Sequence, residues 1–479
     1  MPQRDAAPDS ASEAIRTVIE RYASITNDAA AFARSLEQPL PICVWANPLR
    51  LDRDRLMELM AEDGLAGVPV PWSDNAVRLA PDSRPGLSWL YRAGLMQVQE
   101  EAAMLSVPLL DPRPGDRVLD LCAAPGNKTA QIAMALGNRG TVVANDLNVG
   151  RMAPLHAAIS RLGLVNVTTT AGNGTDYPAP DGYFDKVLAD VPCSGEGTVR
   201  KVHGQHRPVP DKFRRRLTGL QRALLRRAID LCRPGGRIVY STCTFAPEEN
   251  EGIIDQILRE RPDDIRVADE TIDGLVTAPG LSRWQNTEFQ THVTKAHRLW
   301  PHMGNTGGFF AIVLERTGKS NGEAAAPAVE RQAEAGSAIL ESFANHFGIP
   351  DKVFEDKLVI HGGIRLKLLA DDHARPAEPP SSVTGLTLTR DKAKFPKLST
   401  QAALALGAHA TCNIIDLNRD ELDNYYARKG WDMGADRLIA CTGPGHVLVR
   451  HHGYPLGIAA LRHRSDSWII DSLFPKGWG

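Results

Sequence analysis

From Leu95 to about Arg316 the sequence alternates short apolar runs with amphipathic stretches, and this alternation constrains the fold more than any other feature. It is the trace of a parallel sheet covered on both faces, because such strands are apolar throughout and each crossover helix needs one buried face. Strands are predicted at 117–121, 140–145, 166–170, 184–190, 236–241 and 308–314. Between the second and third, Met152, Leu155, Ile159 and Leu162 have the spacing of one helical face. At 479 residues the chain exceeds one ordinary core, so other units must flank this one.

Residues 1–12, rich in Ala, Pro, Ser and Asp, read as a loose tail, and 1–90 as a small α/β accessory domain. The α/β unit takes 91–317. The run TGKSNGEAAAPAVERQAEAG has linker composition and opens a linker and intermediate segment at 318–384. The last unit, 385–479, reads as β-rich, with HVLVRHHG and PLGIAAL as strands. With 43% hydrophobic and 23% charged residues the composition is that of a globular protein. The opening MPQRDAAPDSASEAIR has acids and a proline where a secretory leader needs an apolar run, and no stretch has the length of a membrane span. A cytoplasmic monomer without membrane attachment is expected. Seven cysteines with no CxxC pair read as free thiols, with no disulfide framework and no metal site.

The formal charge of −2 does not advertise a polyanion partner. Locally the balance differs: Arg200 to Arg227 contains ten Lys or Arg against one acid, Asp211. That is a basic surface on a neutral protein.

Three segments carry chemistry. In VLDLCAAPGNKTAQIA (118–133) an apolar strand runs into a small-residue loop, Cys122, Ala123, Ala124, Pro125, Gly126, and then a helix from about Lys128. Such a loop lets a ligand approach the backbone at the carboxyl edge of the sheet. A phosphate-binding P-loop is the competitor, but Asn127 separates Gly126 from Lys128 and the upstream glycine is missing. The next strand ends in Asp146, a carboxylate placed to accept from the ribose hydroxyls of an adenosyl group. FDKVLADVPCSGEGTVRK (184–201) ends its strand in Asp190 and Cys193, and GRIVYSTCTFAPEENEGII (236–254) ends its strand in Cys243. Both thiols should therefore reach the same crevice. Cys232, by contrast, reads as a small core residue inside an amphipathic helix.

Cytosine gives a chemical reason for two thiols. Its C5 is a poor nucleophile until a thiolate adds to C6; methylation must then be followed by loss of the C5 proton and of the thiolate, which calls for a second group. On the residues alone either cysteine fits the nucleophile's role.

DLCAAPGNKT, DVPCSGEGTVRK, YSTCTFAPEEN and RLWPHMGNTGGFFAIVLER, in this order over roughly 90–316, resemble the RNA cytosine-5 methyltransferases of the Nop/Sun family. GEGTVRK is closer to the bacterial small-subunit ribosomal RNA branch and the eukaryotic tRNA branch. The resemblance implies a Rossmann-like domain dependent on S-adenosylmethionine, with Cys122, Ala123, Ala124, Pro125, Gly126, Asn127, Lys128 and Asp146 cradling the cofactor. It further implies that Asp190 contacts the cytosine edge and the cofactor, that Cys243 is the nucleophile and that Cys193 aids product release. Where the family commonly has an aspartate near the adenine this chain has Asn173, with Asp176 as a possible substitute. The basic run implies RNA phosphate contacts at Arg200, Lys201, Arg214, Arg215 and Arg216, with a merely solvated helix face as the plainer reading. The C-terminal unit resembles PUA-like RNA-binding domains. The expected activity is methylation of cytosine C5 in ribosomal (16S) RNA; tRNA is the alternative substrate, and a non-catalytic ribosome-assembly factor is the alternative of another class.

Overall fold

A computed structural model describes residues 9–201, 209–318, 331–391, 397–464 and 467–476. Helix α1 (Asp9–Tyr22) begins inside the stretch expected to be a loose tail, and only residues 1–8 of that stretch lie outside the described residues. Its inner face offers Val18 and Tyr22 to a core shared with Phe32, Phe245 and Trp300, and that packing outweighs the poor helix composition of its start. After α2 (Ala29–Leu36) come β1 (Ile42–Ala46), α3 (Arg53–Glu62), β2 (Gly67–Pro69), β3 (Ala76–Leu79) and β4 (Met96–Val98). These four strands form one antiparallel sheet in the order β2-β3-β1-β4. Because β4 pairs with β1, this unit runs past the expected boundary at 90.

The central sheet is built from β5 (Arg117–Asp120), α4 (Asn127–Ala135), β6 (Thr141–Asn145), α5 (Met152–Leu162), β7 (Val167–Thr170), β8 (Phe184–Asp190), α6 (Asp211–Leu231), β9 (Cys232–Thr242) and α7 (Glu251–Glu260). It continues with β10 (Ile265–Val267), β11 (Ala278–Pro279), β12 (His297–Leu299) and β13 (Phe309–Arg316). The strands β7-β6-β5-β8-β9 are parallel and β13 is antiparallel to β9. The order reverses at β5, so the crevice for ligands lies at the carboxyl ends of β5 and its neighbours. Successive residues face opposite layers: Val118 and Leu188 join Ile132, Leu155 and Ile159 on one side, while Leu119 and Val187 join Leu224, Leu225 and Ile253 on the other. The predicted strands and the Met152/Leu155/Ile159/Leu162 face are observed. Cys232 is a core residue as expected but not a helical one: it is the buried first residue of β9, because α6 stops at Leu231 and the chain passes straight into the sheet.

The linker proper, 319–330, lies outside the described residues. Helix α8 (Gly336–Phe347) and strands β14 (Lys357–Gly362), β15 (Arg365–Ala370), β16 (Val383–Thr384) and β17 (Leu386–Arg390) follow. β16 pairs with β7 at the edge of the central sheet, and β14-β15-β17 form a sheet of their own, so the expected boundary at 384/385 cuts through paired strands. After α9 (Thr400–Leu406) a five-stranded sheet is ordered β18-β20-β21-β22-β19, from β18 (Ile414–Asp416), β19 (Gly430–Met433), β20 (Gly445–His451), β21 (Tyr454–Arg464) and β22 (Ser467–Ser472). Its apolar face shares a core with the N-terminal sheet, where Val44, Trp89 and Leu90 meet Leu422, Val447 and Leu461.

Gly126, at the mouth of α4, has φ +106°, and a Cβ there would lie 2.8 Å from Leu155 Cα. The loop thus depends on α5 packing against a position that only glycine can occupy. Truncation of fully buried Leu155 to Ala should cost about 2–5 kcal/mol in urea denaturation and, by loosening the loop, weaken ligand binding at the crevice; an unchanged midpoint would exclude this coupling.

Candidate active site

The loop after β5 is held by main-chain bonds to the neighbouring strand end. Ala123 N donates to Asn145 O at 2.7 Å, Ala124 N donates to Asp146 Oδ2 at 3.0 Å, and Asn145 Nδ2 donates to Leu121 O at 3.1 Å. Asp146 Oδ1 accepts from Asn148 N at 2.8 Å. The buried Asp146 carboxylate therefore ties two loops together, and lone pairs remain on both oxygens for further donors.

A cavity of 250 Å³ opens beside this loop, lined by Asp120, Cys122, Ala123, Ala124, Pro125, Asn127, Lys128, Asp190, Lys201 and Cys243, and closed by Glu100, Gly307, Gly308 and Phe309. At its floor Lys128 Nζ lies 2.6 Å from Asp190 Oδ2, and Asp190 Oδ1 accepts from Ser241 Oγ at 2.7 Å. Asp120 accepts from Thr129 Oγ1 at 2.6 Å through one oxygen, while the other, Oδ1, is buried without a partner. Burial raises the Asp120 carboxyl to about 7 against that hydrogen bond.

Cys193 Sγ and Cys243 Sγ are 3.3 Å apart. β8 and β9 are adjacent parallel strands with Asp190 opposite Ser241, so the residues just beyond their ends meet. The hydrogen bond shared with Cys193 lowers the Cys243 thiol pKa, and the Lys128 ammonium acts in the same direction, against burial and Asp190. Cys193 is raised by its hydrogen bond with Cys243 and by burial, with the Glu249 carboxylate adding to both. Of the two thiols, Cys243 is thus the one whose surroundings favour the thiolate, and Cys193 the one whose surroundings favour the proton.

What holds the two loops together is a buried charge network that the sequence reading missed. Arg214 Nη2 donates to Glu196 Oε1 at 3.1 Å and its Nη1 donates to Glu249 Oε1 at 3.0 Å. Tyr22 OH donates to Glu196 Oε2 at 2.5 Å. Glu249 Oε2 accepts from Ser194 N and from Gln221 Nε2, each at 2.9 Å, and Gln221 Nε2 also donates to Pro192 O. Gly197 N closes the arrangement by donating to Cys243 O at 2.9 Å. The available signal was acids inside otherwise apolar or glycine-rich segments, Glu196 in GEG and Glu249 in PEEN.

Two predicted RNA contacts are therefore corrected. Arg214 is spent on Glu196 and Glu249, and Arg200, also buried, donates to the carbonyls of Gln38, Pro39 and Thr306 and to Asn305 Oδ1. Lys201, Arg215 and Arg216 are exposed, with Lys201 on the cavity rim. Further along α6, Arg222 and Arg226 pair with Glu260 and Arg227 with Asp181; Arg207 lies outside the described residues. Asn173 is exposed and its side chain caps its own turn, accepting from Thr175 N and donating to Thr175 Oγ1; like Asp146, Gly126 and Cys193 it stands outside the lining of the cavity. Asp176 is exposed on the same turn. Among the described residues no three His, Cys, Asp or Glu side chains gather as a metal site, and no helix is long and apolar enough to cross a membrane.

A family model described as 16S rRNA methyltransferase RsmB/F matches residues 107–315. Ribosomal RNA small subunit methyltransferase F of Erwinia tasmaniensis is 30% identical over 469 residues, covering 92% of this chain and 92% of that protein. The 28S rRNA (cytosine-C(5))-methyltransferase of Mus musculus is 33% identical over 295 residues, 60% of this chain and 37% of that one. Among solved structures, a methyltransferase homolog protein from Pyrococcus horikoshii superposes with a TM-score of 0.55 at 29% identity, over 64% of this chain and 99% of that one.

Substitution of Arg214 by Ala would strand two buried carboxylates and should lower stability by about 3–5 kcal/mol. Joint replacement of Arg215 and Arg216 by Ala should leave stability within roughly 0.5 kcal/mol and weaken RNA binding instead. Thermal melts beside filter binding separate the two, and the opposite assignment of effects would overturn the corrected roles.

Proposed function

The chain belongs to the RsmB/F family of ribosomal RNA methyltransferases, and from that premise we propose that it methylates carbon 5 of a cytosine in small-subunit ribosomal RNA through a covalent bond between Cys243 and cytosine C6. It is an RNA methyltransferase, and its methyl donor is S-adenosylmethionine. The observation that carries the covalent reading is the 3.3 Å contact between two thiols whose pKa values are moved apart, Cys243 down and Cys193 up.

The cavity suits the cofactor. S-adenosylmethionine presents an ammonium and a sulfonium, and the unpartnered Asp120 Oδ1 together with Asp190 offers carboxylates to positive groups. Residues 122–128 would hold it against the backbone and Asp146 would take its ribose hydroxyls. When bound, it supplies an electrophilic methyl group to cytosine C5.

The chain's own side chains do the rest. Cys243 adds to C6 and its electron pair becomes the S–C bond; the displaced C5=C6 pair moves into the ring, N3 takes up a proton from water, and Asp190, held by Lys128 and Ser241, accepts from the protonated base edge. Once C5 is methylated its proton passes to water, the C–H electron pair re-forms the C5=C6 bond, and the S–C pair returns to the Cys243 sulfur. The Cys193 thiol beside Cys243 assists that elimination by stabilising the departing sulfur. Lys201, Arg215 and Arg216 steer the RNA backbone towards the rim. The C-terminal five-stranded sheet serves as a PUA-like RNA-binding module, and the whole acts as a monomer in the cytoplasm.

RNA carrying 5-fluorocytidine, which cannot release a proton from C5, should form a denaturation-resistant adduct. Cys243→Ser should abolish it, and an adduct surviving that change would move the nucleophile to Cys193. The adduct rate should rise with pH and level off above the Cys243 pKa. Because Cys193 donates to the thiolate, Cys193→Ala should shift that limb to higher pH; an unshifted limb in rapid-quench measurements would remove Cys193 from thiolate stabilisation. Labelled S-adenosylmethionine with total RNA from a strain lacking the gene should mark 5-methylcytosine in small-subunit RNA, whereas label in tRNA would refute that substrate.

A further inference from the structure

Far along the chain from the catalytic loops, a second groove of 520 Å³ lies where β15 and β17 meet the segment leading into α9. Arg365 and Arg390 are direct partners across the antiparallel β15/β17 pair, so two guanidinium side chains leave the same face side by side. Like charges opposite one another cost stability unless something between them compensates. Lys397 adds a third cation, and among the described residues the groove has no carboxylate in its lining. The neighbouring acid, Asp391, lies 3.6 Å from His361.

The remaining lining is also short of acceptors for these cations. Gln401 Oε1 accepts from Thr387 N, which leaves its NH2 group to donate. Thr389, only 3% exposed, has a hydroxyl without a partner at the groove. Donors in excess, three cations with no ion-pair partner among the described residues and an orphaned hydroxyl describe a site for an anion with several oxygens.

We infer that this groove binds the sugar-phosphate backbone of the RNA substrate, with Arg365, Arg390 and Lys397 taking successive phosphodiester oxygens and Thr389 donating to one of them. The identification of the polyanion as RNA rests on the methyltransferase reading. An open groove with cations spread along it fits a chain of charges better than a single enclosed ion. The groove is also fixed relative to the catalytic sheet. Val165, which precedes β7, shares a buried core with Leu366, Leu368 and Leu406, and a Cβ on Gly163 at the end of α5 would lie 3.2 Å from the Ala405 Cβ of α9. RNA gripped there is held in register with the crevice rather than tethered loosely.

The test compares wild type with R365Q/R390Q/K397Q, using a small-subunit ribosomal RNA transcript in filter binding across a KCl series. S-adenosylmethionine affinity and melting temperature serve as checks that the variant is folded. The variant should bind about 10-fold more weakly at low salt, with the slope of log affinity against log salt reduced by roughly 2 to 3, and with cofactor affinity unchanged. Thr389→Val, which removes only the hydroxyl, should weaken RNA binding without changing the slope. Wild-type affinity and slope in the triple variant, while wild type methylates the RNA, would overturn the groove alone. Weakening seen only with ribosomal particles, and not with naked RNA, would assign the groove to a protein and overturn it as well. Failure of wild type to transfer label to any RNA would overturn the reading on which it rests.

Discussion

The pairing of β8 with β9 is the constraint on which the catalytic arrangement depends. Parallel neighbours in register, with Asp190 opposite Ser241, end at the same level. The chain segments leaving them are then forced together, and Cys193 meets Cys243 at 3.3 Å. A strand end fixes a backbone but not a side chain, and the remaining precision comes from charge buried beneath the loops. Arg214 reaches Glu196 on one loop and Glu249 on the other, so a single guanidinium sets their separation. Burying three charges is costly, and a hydrophobic cluster of equal volume could give comparable stability. What apolar packing could not supply is the Glu249 bond to Ser194 N, which fixes the backbone next to Cys193, or the field that keeps the Cys193 proton in place.

The same geometry accounts for the division of labour between two chemically identical thiols. Their mutual hydrogen bond is the largest influence on both sulfurs; beside it Cys243 feels the carboxylate of Asp190 offset by the Lys128 ammonium, whereas Cys193 feels the carboxylate of Glu249. Lys128 is shared with Asp190, which makes the proposed base-edge contact sensitive to the group that favours the thiolate. The asymmetry is therefore a property of the loops' surroundings, and neither thiol would carry it alone.

Much of this was legible in the sequence because it is encoded locally. Met152, Leu155, Ile159 and Leu162 declare their helix by spacing, and the apolar runs ending in Asp146, Asp190 and Thr242 declare strands with polar residues at the ligand edge, whereas Asp120, inside the run read as strand 117–121, went unmarked. What was lost depends on partners distant in sequence. Arg214 and Arg215 are adjacent in one basic run, yet one side chain is buried in a network and the other is exposed. Only the helix's orientation towards Glu249, 35 residues away, decides which is which. Arg200 was misread for the same reason, since its partners are carbonyls from the N-terminal region and from the loop before β13. The boundary placed at 384/385 failed because β17 pairs back to β15 across a turn-rich stretch whose composition resembles a linker.

Net charge misleads for a related physical reason. At −2 the protein looks indifferent to a polyanion, and the basic run of α6 looks like the remedy. The structure divides that run into cations already paired with carboxylates, Arg214 in the interior and Arg222, Arg226 and Arg227 nearer the surface, and exposed cations without an ion-pair partner among the described residues, Lys212, Arg215 and Arg216. Ion pairs formed inside the fold contribute little to the field beyond a Debye length, so attraction for RNA depends on unpaired cations and where they stand. Lys201 stands on the rim of the catalytic cavity and Arg215 and Arg216 on α6, whereas Arg365, Arg390 and Lys397 line one groove of the unit packed behind β7. A protein of near-zero charge can thus hold a folded RNA at separated points, provided that the points are rigidly connected. Here the connection is the apolar core running from Val165 through Leu368 to Leu406.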